Sequence, residues 1–469
     1  MESPIAFVFR RDLRIVDNTG LIQADKQNRP VVPIFIFTKL QTNPNQPYFS
    51  HKCFQFLVEC VEDLQNELRN AGSDLVILYG EESEVVKQVN LPIYTNLDYT
   101  PYSRSRHKKL SKLVDIKQFE DYMVTSVQLV KDNGEAYVKF TPYRRAAESY
   151  GTRAPDLHKL ANLATPDQIK ALSKDWPVID VQKAHSMYTK SPLLHTGGRA
   201  NALKQLNLTL TTCQTYDATR NDPNLPSSQM SAYNKFGCVS VREVYKAWAT
   251  LPKQARSALL SQLYWRDFYY QIAWHHPRVL YPLTYYRSFN PKYDKIKWFS
   301  LLGHGVKPTK TALAHLEAWK SGKTGFPIVD AFMRQLNSTG FMHNRGRLIT
   351  SGFLIKHLHW HWEDGEKYFA QALYDYDPSQ NSGGWQWSSG SGTDSQPYFR
   401  ILSPPLQSEK FDPEAKFIKS WIPELKDLSP KQIHYWHLEY SRQTKPVYLA
   451  PIIDLDEAKQ KTLDLYKRG

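Results

Sequence analysis

The sequence predicts an α/β amino-terminal domain built on a doubly wound parallel sheet, followed by a larger all-α domain. Short, fully apolar runs separated by helical patterns fill the first 125 residues, as strands buried on both faces require. Helical periodicity dominates beyond residue 200, and all 12 tryptophans lie at or beyond Trp176. A chain of 469 residues also exceeds one ordinary core. The predicted division is 1–125 for the α/β domain, 126–199 for an interdomain connector and 200–469 for the helical domain.

Ile5–Phe9 is the first strand, followed by the polar Arg10-Arg11-Asp12. Val31–Phe37, β-branched and bounded by polar stretches, is the second. Ser50 is placed as the N-cap of a helix whose apolar positions Leu57, Cys60, Val61, Leu64 and Leu68 keep helical spacing, with Gly72 where a C′ glycine belongs. Leu75–Tyr79 and Pro92–Thr95 read as further strands, with Glu81–Val89 helical between them. From about 125 to 200 the pattern dissolves into mixed, proline-containing sequence with little expected regular structure. Beyond it the periodicity predicts helices over Val241–Leu251, Arg256–His275, Thr311–Lys320, Pro327–Asn337, His343–Trp362 and Asp364–Leu373.

Lys plus Arg (60) exceed Asp plus Glu (46), a net charge of +14 that favours a polyanionic partner, nucleic acid first. The four cysteines, Cys53, Cys60, Cys213 and Cys238, have no CxxC or zinc spacing, which argues for a reducing compartment. Met1-Glu2-Ser3-Pro4 carries an acid where a signal peptide has basic residues, and no apolar run approaches a membrane span. The expectation is a soluble intracellular protein of cytoplasm or nucleus.

Several motifs fail on inspection. Gly322-Lys323-Thr324 resembles the end of a P-loop, but position 317 is Glu where a glycine is required. His357 and His361, with His359 between them, lack an HExxH partner and a completing carboxylate; a helix-surface or packing role is expected, and no metal. No GxGxxG follows the first strand and no GxSxG elbow is present. What remains is a polar set in the last third: Asn344-Arg345-Gly346-Arg347, Asp375-Tyr376-Asp377 and Asn381-Ser382-Gly383-Gly384-Trp385-Gln386-Trp387. Paired arginines, paired aspartates and glycines beside tryptophans suit a buried, flat, charged ligand, because glycine permits close backbone approach. Residue types alone favour a structural ion-pair network among core tryptophans.

The order of these blocks carries more information than their composition. Phe7-Val8-Phe9-Arg10-Arg11-Asp12-Leu13-Arg14-Ile15-Val16-Asp17-Asn18, Thr324–Ala331 with Met333-Arg334-Gln335-Leu336, Asn337–Arg345 and Asn381–Trp387 follow one another as in the photolyase/cryptochrome flavoproteins. The chain resembles that family along essentially its whole length, most of all the class I cyclobutane pyrimidine dimer photolyases. The resemblance implies one FAD in the helical domain, reduced when active, which passes an electron to a pyrimidine dimer in DNA under light. It implies that Tyr216, Ser227, Ser228, Gln229, Met230, Ser231, Arg266, Asn344, Arg347, Asp375 and Asp377 surround the flavin, with Gln229 where the family usually has Arg. Asn381 matches the residue facing flavin N5, where a neutral amide adds no charge. Trp265, Trp387 and Leu348 match the pocket for a flipped dimer, and Arg220 and Arg345 match arginines that face phosphates. Trp385 and Trp362 match the first two tryptophans of an electron relay.

Besides Gln229, the sequence departs from the class I pattern at four places. Gln262 stands where a Glu hydrogen-bonds the dimer, and Leu348 replaces a Met. Thr309 occupies the third relay position. Tyr102 and Ser103 stand where folate-binding relatives have Asn-Glu, leaving a deazaflavin, a folate or no antenna open. Gln262 is shared with (6-4) photolyases, but their histidines would fall at Asn344 and Leu348, neither of which is His. The chain ends soon after Phe411-Asp412-Pro413-Glu414, without the long tail of signalling cryptochromes. Cyclobutane dimer repair by a monomer that binds no membrane is therefore expected, with a non-repairing cryptochrome-type photoreceptor, or (6-4) repair, as the alternative.

Overall fold

Alternate side chains of each central strand enter two different cores, which is why these strands are apolar throughout. In the computed structural model, which describes residues 3–280, 293–397 and 400–468, β1 (Ile5–Phe9) sends Ile5, Phe7 and Phe9 to one face and Ala6 and Val8 to the other. Strands β2 (Val31–Thr38), β3 (Val76–Gly80), β4 (Ile93–Asn96) and β5 (Ile116–Phe119) complete a five-stranded parallel sheet in the order β3-β2-β1-β4-β5. The pairing runs Ile5 to Val31 and Ala6 to Ile93, so the order reverses at β1, as in a doubly wound sheet.

Helices α1 (Thr19–Asp25), α2 (His51–Asn70), α3 (Glu82–Val89) and α4 (Pro101–Leu110) connect the strands. The Ser50 hydroxyl accepts from Cys53 N, and Gly72 is left-handed (φ 81°) just beyond the helix end, as the sequence predicts for α2.

The stretch 126–199 differs from its expected irregularity. It carries α5 (Phe140–Tyr150), α6 (Pro166–Leu172) and α7 (Val181–His185). Its extended pieces join the sheet: Ile179 N donates to Ile77 O (2.9 Å) and Ala164 N to Val31 O (2.8 Å). The order comes from pairing with the sheet, which local periodicity does not report.

Helices α8 (Arg199–Thr212), α9 (Tyr216–Thr219), α10 (Ser231–Phe236), α11 (Val241–Trp248) and α12 (Lys253–His275) pack on the sheet and share its larger core, which includes Phe236, Trp248 and Phe268. A second core holds α13 (Lys310–Ser321), α14 (Pro327–Thr339), α15 (Asn344–Lys356), α16 (Trp362–Ala372) and α17 (Pro378–Ser389), with Trp319, Phe353 and Trp385 inside it. Helix α18 (Pro404–Phe411) and shorter turns follow, and Leu455–Arg468 is the last helix.

One expected helix is two. The run His343–Trp362 breaks between Lys356 and Trp362, where His359 is left-handed (φ 61°) and the His361 side chain caps α16 by accepting from Glu363 N. His357 and His361 therefore share no helical face; both are buried packing residues. Among the described residues no helix is long and apolar enough to cross a membrane.

Candidate functional site

Helix α12 is buried on most sides, but Gln262, Trp265, Arg266 and Tyr269 are only half-buried. Their i, i+3, i+4, i+7 spacing makes one open stripe. Trp265 lies flat on Phe140 (centroids 3.7 Å apart, 7° between planes) and near Tyr269 (5.8 Å), so its orientation is fixed by aromatic packing. The Gln262 amide nitrogen donates to Ala258 O (3.2 Å), one turn back on the same helix.

Helix α17 faces this stripe. Gln380, Asn381, Gly383, Gly384 and Trp387 are half-buried, while Ser379, Ser382, Trp385 and Gln386 point into the core. A side chain at Gly383 would collide with the Tyr269 ring, so α12 and α17 approach closely only because that residue is glycine. A Cβ on Gly384 would touch nothing within 4 Å. Asp377 caps the helix, accepting from Ser379 N (3.0 Å) and Gln380 N (3.2 Å), and also binds Tyr270 Oη (2.9 Å) and Arg11 Nη1 (2.5 Å). Its carboxylate is thus engaged by the helix terminus and by the sheet domain.

The Asn381 amide nitrogen donates to Glu366 Oε1 (3.0 Å) and Glu366 O (3.1 Å). Both donations point the nitrogen at α16, which turns the amide oxygen away from it. Burial pushes the Glu366 carboxyl up to about 7, and the charge of Glu363 acts in the same direction. Glu366 was not among the residues marked in the sequence. A glutamate four places from Trp362 carries no signal until the fold sets it beside Asn381.

Helix α15 supplies the next wall. Its first turn exposes Asn344 and half-buries Arg345, Arg347 and Leu348. Arg347 pairs with Asp375 (Nη2 to Oδ2, 2.7 Å) and donates to Met342 O (2.9 Å). Arg345 reaches Asn221 Oδ1 (2.6 Å) and lies 4.1 Å from the centre of the Phe411 ring. Burial, then the charges of Arg400 and Arg220, lower the Arg345 pKa, so three arginines converge here. Arg220 is exposed. Arginines gathered in this way suit phosphates.

The stretch from Tyr216 forms the remaining side. Tyr216 opens α9, half-buried, its phenol pushed up to about 12 by burial. Ser227 and Ser228 are half-buried, Gln229 is left-handed (φ 51°) with Oε1 2.9 Å from His195 Nε2, and Ser231 is exposed at the start of α10. Met230 is only 1% exposed, so its side chain belongs to the core and can offer a ligand only its backbone.

Among the buried polar atoms of these walls without a hydrogen-bond partner are Asn234 Oδ1, Arg266 Nε and Nη1, and Asp375 Oδ1, with Asp267 Oδ1 lying 3.7 Å from Arg266 Nη1. Such atoms are costly unless a ligand completes them. Donors and acceptors on α10, α12 and the loop before α17 fit a ligand with several polar prongs and a flat body, as FAD has. Asn234, like Glu366, gave no sequence signal.

Trp385 is 2% exposed and packs into a notch at Gly365, where a side chain would collide with its ring. Trp362 is the first residue of α16 and is buried. Thr309 caps α13, its hydroxyl accepting from Ala312 N (3.1 Å). Among the described residues one group has metal-ligand types, His304, His361 and Glu363, within 4.8 Å of one another. There His304 pairs with the Glu363 carboxylate and His361 caps the helix, which accounts for all three.

The family profile described as DNA photolyase matches residues 5–164, and that described as the FAD binding domain of DNA photolyase matches residues 259–468. A deoxyribodipyrimidine photo-lyase from Alkalihalophilus pseudofirmus is 32% identical over 98% of this chain and 97% of its own length. The enzyme of that name from Escherichia coli is 32% identical over the same shares. An archaeal photolyase structure from Sulfolobus tokodaii, solved with two FAD molecules, superposes with a TM-score of 0.85 at 33% identity, covering 100% of both chains. A Synechocystis cryptochrome at 24% identity and TM-score 0.85 shares the fold.

Proposed function

Since the chain belongs to the DNA photolyase family, we propose that it splits cyclobutane pyrimidine dimers in DNA under light, using one FAD held between α10, α12, α15 and α17. The observation that carries the reading is the set of buried atoms without a hydrogen-bond partner on Asn234, Arg266 and Asp375, beside an Asn381 amide already oriented by Glu366. When bound and reduced, FAD supplies the photoexcited electron that opens the dimer.

The chain's own residues have five tasks. Arg266, Asn234 and the Arg347–Asp375 pair hold the cofactor with donors and acceptors that are in place beforehand, which lowers the ordering cost of binding. Tyr216 and the Ser227–Ser231 stretch close its far side. Asn381 presents a neutral amide oxygen to a ring N–H, with Glu366 fixing that orientation. Trp265 and Trp387 offer aromatic faces to a flipped dimer in place of its lost base stacking, and Gln262 and Leu348 line the same pocket. Arg220 and Arg345 neutralise flanking phosphates, and one chain acts on one lesion.

The test is photoreversal. The flavin-reduced protein is mixed with an oligonucleotide carrying one thymine cyclobutane dimer and divided between blue light and darkness. Intact thymines should return in light alone. Repair of a (6-4) substrate instead, or of neither, contradicts the reading.

A further inference from the structure

Thr309 is a helix cap and cannot lose an electron at accessible potentials, so the relay suggested by Trp385 and Trp362 has no aromatic third member at that position. Trp385 has another neighbour. Its ring lies 6.2 Å from that of Trp319, at 74°. Trp319 in turn lies 5.6 Å from Tyr368, at 60°. Phe369 packs against both tryptophans, 5.0 Å from Trp385 and 6.0 Å from Trp319. Trp319 is fully buried and anchored by Nε1 donating to Thr350 O (3.0 Å). Tyr368 is half-buried at the surface, its hydroxyl donating to Asn337 Oδ1 (2.7 Å) and Lys320 O (3.0 Å).

We propose that Trp385, Trp319 and Tyr368 form an electron route from the cofactor to the surface, with Tyr368 as its terminal donor. The inference rests on the FAD site proposed above. Trp385 gives one electron to the photoexcited oxidised flavin and becomes a radical cation. Trp319 refills Trp385, and Tyr368 refills Trp319. A phenol loses its proton when it loses an electron, and the half-buried Tyr368 hydroxyl, at the surface, gives up its bond to Asn337 and releases that proton to water. The tyrosyl radical is then reduced by a soluble thiolate while a proton returns from water, and two thiyl radicals couple to a disulfide. The net change is one electron moved from thiolate to flavin. Deprotonation at the last step makes return of the electron slow, which a buried tryptophan end could not do.

The experiment is flash photolysis with electron paramagnetic resonance on the flavin-bound, oxidised protein. The wild type should yield a tyrosyl radical that thiol shortens. Tyr368→Phe should abolish that signal and leave a tryptophan radical that recombines faster, and Trp319→Phe should also abolish it. Trp362→Phe should leave it in place. Because Trp319 is a core residue, the surface change Tyr368→Phe carries the test if Trp319→Phe fails to fold. A tyrosyl signal unchanged in Tyr368→Phe, or lost in Trp362→Phe, overturns the route. Flavin absorbance in the same samples separates the two levels: flavin bound without a tyrosyl radical overturns the route alone, and no flavin bound overturns the site as well.

Discussion

At the scale of single residues, the Glu366 carboxyl is the group whose environment most changes its chemistry. It is buried, and accepts from Asn381, Tyr376 and Ser382 at 3.0 to 3.4 Å. Burial raises it from 4.5 to about 7, so between those values the folded chain keeps a proton that the unfolded chain has released. Stability therefore falls as pH rises through that window and is level above it. Glu366→Gln removes the dependence, and the stability of the variant relative to wild type should climb by up to about 3 kcal/mol across the window. Melts of the flavin-bound protein at both ends of it check the sign; a constant difference contradicts it. Trp265→Ala should weaken binding to dimer-containing DNA by about 1–3 kcal/mol and binding to undamaged DNA far less. Arg345→Ala should weaken both and lower the log–log salt slope by roughly 0.9, read from titrations at several salt concentrations. Gln262→Glu should keep or raise photoreversal. Arg345 stands inside a motif block, and Trp265 and Gln262 were expected at the site only through the family resemblance. Glu366, Asn234 and Tyr368 were not, since their meaning lies in what they touch across the fold.

At the scale of elements, α16 and α17 meet through glycine. The Trp385 ring occupies the space where a Gly365 side chain would stand. Gly365→Ala should cost about 1–3 kcal/mol of stability by overpacking and slow flavin photoreduction by displacing Trp385, measured by denaturant melts and by bleaching under light. Unchanged stability would show that the notch is not tight. Elements with strong local signals were readable. The first four strands follow from apolar runs, and α2 from its periodicity, Ser50 and Gly72. Strand β5 (Ile116–Phe119) is half-exposed and carries Lys and Gln, so nothing apolar announces it. The 126–199 stretch takes its order from the sheet. The break at 357–361 lay inside a continuous apolar pattern, and only the left-handed His359 and the cap at His361 divide it.

At the scale of the whole molecule, a buried ion network joins the sheet to the helices. Arg242 on α11 binds Asp17 (2.7 Å) and Asp121 (2.7 Å), and Arg14 binds Asp121 (2.5 Å). Burial alone would raise the Asp121 carboxyl, but Arg14 and Arg242 hold it well below the usual carboxylate range. Its contribution is present above the unfolded carboxyl's range and is lost as pH falls through the lowered folded value. Arg242→Met should cost about 3–5 kcal/mol and move acid unfolding to higher pH, since it leaves two buried aspartates short of a partner. Acid unfolding at an unchanged pH contradicts that account. The network fixes the frame on which Asp377, held by Arg11 of the sheet domain, caps α17 and so positions Asn381. Electron donation from the cofactor to a dimer in this pocket is the central claim, and the fluorescence lifetime of the bound reduced flavin reads it most directly. Dimer-containing DNA should shorten the lifetime, and the original value should return once illumination has restored the thymines. A lifetime that dimer-containing DNA leaves unchanged, with binding demonstrated, would contradict it.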